Sequence, residues 1–144
     1  MAREAEVAVF VARRDRTEIL VLRRAPALGG YWHTVAGGIE PGEQPLDAAR
    51  RELAEETRLE AEPVAARTQF AYPLDEEPPE LRTRYAPGLT HVPVHCFLVD
   101  APDAWEPVLD WEHDRYRWAP AAEAPAAYRY ADVGEALRRL LGAS

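Results

Sequence analysis

The sequence predicts a mixed α/β fold, an α+β arrangement in which helices cover the faces of a mixed β-sheet. Three observations carry that expectation. Apolar β-rich runs open the chain, one helix-forming segment interrupts them near residues 45–58, and more strand-like runs precede a closing amphipathic helix. The 144 residues, 47% of them apolar, fit a single domain spanning 1–144 with one packed core.

Val7 to Arg13 and Glu18 to Arg24 read as two buried strands, with Asp15 and Arg16 turning between them. A loop through Pro26, Gly29 and Gly30 leads to a short strand over Tyr31 to Ala36, and glycines then cluster at Gly37, Gly38 and Gly42. Pro45 suits a first helical position, where its missing donor would be unpaired anyway. The following Ala, Leu, Glu and Arg residues favour a helix to about Arg58, with Leu46, Ala49 and Leu53 as a narrow apolar stripe. Val64 to Leu74 reads as a strand and Asp75 to Glu80 as an exposed acidic loop. Val92 to Val99 and Arg115 to Trp118 read as strands, and Ala121 to Tyr128 as a weak helix interrupted by Pro125. The last helix carries Val133, Ala136, Leu137, Leu140 and Leu141 on one face.

Composition narrows the functional classes. Seventeen basic against 25 acidic residues leave a net charge of −8, which argues against nucleic acid as the main partner. A phosphate ligand stays compatible if a divalent cation stands between it and the acidic groups. No apolar run approaches the ~20 residues of a membrane span, and the opening residues do not form a signal peptide. With Cys96 the only cysteine, neither an internal disulfide nor a multi-cysteine zinc site is possible. A soluble, cytoplasmic protein is the expectation.

The chemistry concentrates in one helix. Glu52, Glu55 and Glu56 stand at i, i+3 and i+4, so their carboxylates leave the helix on one side. That side lies roughly 90–100° around the axis from the apolar stripe, at the edge of the packed surface. Such a trio is ordinarily a solvated face. Here it belongs to a longer pattern: Gly37, five residues, Glu43, seven residues, then Arg51-Glu52-Leu53-Ala54-Glu55-Glu56. Chance coincidence of that spacing is on the order of 10⁻⁵ to 10⁻⁴ at ordinary residue frequencies.

Residues 37–59 resemble the Nudix box, G-x5-E-x7-R-E-U-x-E-E-x-G-U with U aliphatic, except that Arg58 replaces the late glycine. The resemblance implies a Nudix-type α/β/α sandwich with the box helix on one face of the sheet. It also implies a hydrolase of phosphoanhydrides that works with Mg²⁺ or Mn²⁺, hard cations that prefer oxygen ligands. A narrower resemblance links Leu22-Arg23-Arg24, Tyr31-Trp32, Arg84-Tyr85-Ala86-Pro87-Gly88-Leu89-Thr90 and Glu112-His113 to bacterial dihydroneopterin triphosphate pyrophosphatases. Those enzymes, also described as dATP pyrophosphohydrolases, tend to lose the late box glycine too.

By resemblance Glu52, Glu55 and Glu56 bind metal, joined by Glu112 and by the backbone carbonyl of Ala36. Arg51 would hold one of these glutamates through a charge-assisted hydrogen bond. Glu43 would bond backbone donors or assist the metal shell, and Gly37 and Gly38 shape the box. Glu112 is a candidate general base, Trp32 a candidate stacking partner for a pterin or purine ring, and Arg24, Arg84 and Tyr85 candidate phosphate or sugar contacts. His33, His91 and His95 are too scattered for a metal triad. No serine nucleophile competes, since Ser144 is the only serine.

The resulting expectation is attack of water at the α-phosphorus of a small-molecule triphosphate by a monomer or homodimer, giving pyrophosphate and a monophosphate. A dinucleoside polyphosphate hydrolase is the alternative within the enzyme class. A Nudix-fold binding module without catalysis is the alternative outside it, and it would be expected to have lost box carboxylates that this chain keeps.

Overall fold

The computed structural model describes residues 2–142, apart from the side chains of 65–67. β1 (Glu6–Arg13) and β2 (Glu18–Arg24) form a hairpin. They pair only at its closed end, where Ala12 faces Ile19 and Arg13 faces Glu18. The two strands then diverge. Into the gap come two short strands: β3 (Trp32–His33), antiparallel to β2, and β4 (Val35–Gly38), antiparallel to β1. The single strand expected over Tyr31 to Ala36 is therefore split at Thr34, which lies between the two partners. The Thr34 hydroxyl donates to the Val9 carbonyl at 2.5 Å and fixes the break.

β5 (Val64–Pro73), β6 (His91–Asp100) and β7 (His113–Pro120) complete a seven-stranded mixed sheet. β6 runs parallel to β1 on its other edge, and β5 runs antiparallel to β6. β7 runs antiparallel to β2 and is longer than the expected Arg115–Trp118, because its pairing with β2 extends from Pro120 back to His113.

Alternation along β1 divides the core. Val7, Val9 and Val11 face one side with Leu20, Leu22, Val35 and Phe97. Helix α1 (Pro45–Thr57) covers that side with Ala48, Ala49 and Leu53. Ala8, Phe10 and Ala12 face the other side, under Val133, Ala136 and Leu137 of the C-terminal helix. Strands buried on both faces read as unbroken apolar runs rather than alternating ones. The result is three layers, helix–sheet–helix.

Two local expectations change. The acidic loop contains a 3₁₀ turn at Leu74–Glu76 and a short helix α2 (Pro79–Arg82). Arg82 organises it by donating to the carbonyls of Glu77 and Asp75, both at 2.8 Å. Pro125 begins α3 (Ala124–Ala127) instead of interrupting a longer helix, because a first-turn proline breaks no helical hydrogen bond. α4 (Ala131–Gly142) carries the expected closing stripe, with Val133, Ala136 and Leu137 buried and Leu140 and Leu141 partly buried. Among the described residues no helix is long and apolar enough to cross a membrane.

α1 ends at Thr57, and Arg58 caps it in the left-handed conformation, φ 68°. Glycine reaches that conformation without penalty, whereas an L side chain costs roughly 1–2 kcal/mol. The Thr57 hydroxyl donates to Leu53 O at 2.7 Å and accepts from the Leu59 amide at 3.2 Å, which holds the chain in this turn. Leu53 is the side chain that seats α1 on the sheet, and it is fully buried. Leu53→Ala is expected to lower the unfolding free energy by about 2–5 kcal/mol in urea denaturation; a change under 0.5 kcal/mol would show that α1 does not rest on this contact.

Candidate active site

The site forms where α1 passes over β4. Gly37 is what lets them meet: a Cβ there would lie 2.2 Å from the Glu52 carboxylate. Without that Cβ, Glu52 turns in toward the strand, 8% exposed, and Glu56 follows one turn later at 1%. The carboxylates thus do more than border the apolar stripe. Two of the three extend it inward beside Ala48, Ala49 and Leu53, while Leu46 is only partly covered. Glu55 stays outside, its side chain 57% exposed.

Arg51 binds this arrangement together. Its Nε and Nη2 donate to the two oxygens of Glu43, each at 2.9 Å. Nη1 donates to Glu52 Oε1 at 2.8 Å, and Nη2 also reaches the Gly38 carbonyl at 2.9 Å. Glu55 stands 3.6 Å from Nη1. Glu43 further accepts from the Glu40 amide at 3.0 Å, so one guanidinium ties the 38–43 turn to the helix. Its bond to Arg51 holds Glu43 below the usual carboxylate range, and Glu43 in turn holds Arg51 firmly protonated.

Glu52 and Glu56 behave in the opposite sense. Burial raises both above the ordinary carboxylate pKa. Glu56 is pushed well up, first by desolvation, then by Glu52 and by the charges of Glu112 and Asp110. Neither Glu56 oxygen has a hydrogen-bond partner among the described residues. A buried carboxylate without donors must hold a proton or face a cation.

The last strand brings the remaining groups. A register shift opposite Arg23 and Arg24 places His113 directly across from Arg24 and turns it inward. It is buried, with Nδ1 3.0 Å from Asp110 Oδ1 and Nε2 3.6 Å from Glu56 Oε1. From sequence His113 appears only within the Glu112-His113 motif, without a role, and Asp110 does not appear, because the signal that turns them toward Glu56 is a strand irregularity. Glu112 lies on the same loop and pairs with Arg24 at 3.4 Å; the Ala25 amide donates to its carbonyl at 2.7 Å.

The other expected site residues are dispersed. Trp32 packs against the core, with the Arg117 guanidinium 5.5 Å from its ring centroid. Arg84 is exposed. Tyr85 is buried, and its hydroxyl donates to Glu6 Oε2 at 2.8 Å beside the Tyr72 hydroxyl at 3.1 Å. Ala36 is half-buried on β4. His33 is enclosed and pushed down to about 3 by burial, so it is neutral at physiological pH.

Among the described residues no three acidic, histidine or cysteine side chains already converge as a cage for a metal ion. The donor chemistry nevertheless fits a hard divalent cation. The two Glu56 oxygens, which no described donor reaches, the neighbouring Glu52 carboxylate and the nearby Glu112 form an all-oxygen set with surplus negative charge.

The raised pKa fixes a sign. Stability contributed by Glu56 is complete below the ordinary carboxylate pKa and is lost as pH rises toward the elevated one. In metal-free buffer at pH 7, Glu56→Gln is expected to raise the melting temperature by roughly 2–8 °C, and the gain should vanish toward pH 4. Added Mg²⁺ should raise the melting temperature of the parent chain and not of the variant. Equal melting curves at pH 7 and pH 4, with and without Mg²⁺, would show that no charge is buried at this position.

Comparison with known proteins places this geometry in a family. A NUDIX-domain profile matches residues 2–140. The chain is 33% identical over 140 residues to the dihydroneopterin triphosphate diphosphatase of Haemophilus influenzae, covering 94% of this chain and 85% of that protein. The Escherichia coli K12 diphosphatase of the same description is 32% identical, with 85% and 83% covered. A Myxococcus xanthus octanoyltransferase is 32% identical across 95% of this chain, which spans only 36% of that longer protein. Among solved structures, the E. coli dihydroneopterin triphosphate pyrophosphohydrolase superposes with a TM-score of 0.81 at 25% identity, covering 99% of this chain and 98% of the other. A Caenorhabditis elegans Ap4A hydrolase shares the fold, with a TM-score of 0.71 at 20% identity and 96% and 95% covered. A box helix that buries two glutamates against a glycine strand, in a chain matched by that profile nearly from end to end, belongs to the Nudix hydrolase family.

Proposed function

We propose that this chain hydrolyses a phosphoanhydride of a nucleoside or pterin triphosphate, with dihydroneopterin triphosphate or a dNTP such as dATP as substrate. The products are pyrophosphate and the monophosphate. The observation that carries the reading is Glu56: buried, doubly unpartnered, and held beside a second carboxylate. The kinship with two dihydroneopterin triphosphate diphosphatases supports the substrate class.

Nudix hydrolases generally use divalent metals, and Mg²⁺ or Mn²⁺ is the choice here. Glu52, Glu55, Glu56, Glu112 and the Ala36 carbonyl would hold the cation, and the cation neutralises phosphate charge and makes phosphorus more electrophilic. Arg51 orients Glu52 and fixes the 38–43 turn. Glu112, on a loop and only partly covered, takes the proton from the attacking water. Water oxygen bonds to the α-phosphorus as the bridging P–O bond breaks, and its electron pair leaves with pyrophosphate. Arg24 releases Glu112 to meet phosphate oxygens, a geometry that guanidinium matches well. Exposed Arg84 borders the phosphate or sugar, buried Tyr85 instead gives its hydroxyl to Glu6, and the accessible edge of Trp32 meets the heterocycle.

A product assay with Mg²⁺ tests this on dihydroneopterin triphosphate, the dNTPs and diadenosine tetraphosphate. Pyrophosphate plus monophosphate from a triphosphate is expected. Glu56→Gln should cut the rate by about 10²-fold or more while the chain stays folded. ATP plus AMP from diadenosine tetraphosphate as the dominant reaction would favour the dinucleoside polyphosphate reading, and binding without turnover a non-catalytic module.

A further inference from the structure

A cleft of about 240 Å³ opens beside the box, lined by Arg3, Gly38, Ile39, Glu40, Arg51 and Glu52 among others. Of its two cations Arg51 is saturated by Glu43, Glu52 and the Gly38 carbonyl. Arg3 is not. Among the described residues its guanidinium makes one side-chain hydrogen bond, a long one of 3.4 Å from Nη1 to Glu6 Oε2. That carboxylate is already engaged by two phenols, Tyr72 at 2.6 Å and Tyr85 at 2.8 Å. The other Arg3 donors therefore have no side-chain acceptor among the described residues, and the side chain lines the cleft.

Two features hold Arg3 in this place. Its amide donates to the Arg84 carbonyl at 2.7 Å, and its carbonyl accepts from the Ala86 amide at 2.8 Å. The Arg84–Ala86 segment thus clamps the backbone of residue 3 as a parallel bridge centred on Tyr85. The side chain then lies across Gly38, where a Cβ would stand 2.5 Å from Arg3 Nε and 2.8 Å from Cδ. Gly38 has an ordinary φ, so a Cβ there would meet no backbone strain but would push the Arg3 side chain out of this position.

We propose that Arg3 is a substrate-binding residue whose guanidinium holds a non-scissile phosphate of the polyphosphate chain in this cleft, with Gly38 and the Arg84–Ala86 clamp setting its position. Guanidinium pairs bidentately with phosphate oxygens, and the cleft wall it occupies adjoins Glu52. The proposal rests on the triphosphate reading above.

The test uses the full chain and the variants Arg3→Gln, Arg3→Lys and Gly38→Ala. Arg3→Gln is expected to raise KM for the triphosphate substrate roughly ten- to hundredfold, with a much smaller change in kcat. Arg3→Lys should fall between, and Gly38→Ala should mimic Arg3→Gln without adding to it in the double variant. Melting temperature and its rise with Mg²⁺ should be the same in Arg3→Gln as in the parent. Binding of inorganic tripolyphosphate with Mg²⁺, measured by titration calorimetry, gives a readout independent of turnover, and Arg3→Gln should weaken it by a similar factor. If the parent hydrolyses no triphosphate, the functional reading fails while this binding comparison still decides the role of Arg3. Equal KM and equal tripolyphosphate affinity in parent and Arg3→Gln, or no tripolyphosphate binding by the parent, would overturn the proposal.

Discussion

Glu52 and Glu56 lie one helical turn apart, and both are under the surface, so ionising both sets two like charges against each other in a poorly hydrated place. A packed interior ordinarily excludes such a pair. Everything nearby is arranged either to tolerate it or to offset it. Gly37 yields the volume that the first carboxylate occupies. Arg51 supplies a positive charge on one flank, and His113, backed by Asp110, stands 3.6 Å from Glu56 on the other. A site that is uncomfortable on its own is one that favours an incoming cation.

The sheet serves the same end. Because β1 and β2 separate after their turn, β3 and β4 can enter between them. β4 thereby passes beneath α1 with Gly37 turned toward Glu52, while Gly38 faces Arg3 on the other side. Leu53, Ala48 and Ala49 press the helix down, so the carboxylates are held by apolar packing at their backs and by Arg51 at their sides. Stability and chemistry are therefore supplied by different residues on adjoining sides of one helix.

Much of this is visible before any coordinates exist. The two-sided burial of β1 and β2 shows in unbroken runs of Val, Ile and Leu, and the closing helix in its regular apolar stripe. Glu52, Glu56, Arg51 and Gly37 stand out through a spacing that only a helix after a glycine turn explains. Other features depend on pairings distant in sequence. The split at Thr34 follows from the divergence of β1 and β2, which no local pattern encodes. The inward turn of His113 comes from a register shift, and neither Glu112 nor Arg24 announces the other. Tyr85 illustrates the same limit: its surrounding motif suggests a ligand contact, yet its hydroxyl meets Glu6, far away along the chain.

The parallel pairing of β1 with β6 has a consequence for how the molecule comes into being. Glu6 finds its partner at Val94 and Ala12 at Asp100, so a ribosome must deliver about two-thirds of the polypeptide before the first strand can close its second edge. Until then the nascent hairpin carries an open, strongly apolar border, of the kind that recruits neighbouring chains. Contacts this remote also slow the search for the native topology. Slow synthesis or a chaperone that shields that border during translation would favour recovery of active protein, and a rapid overproducing host would divert it into aggregates.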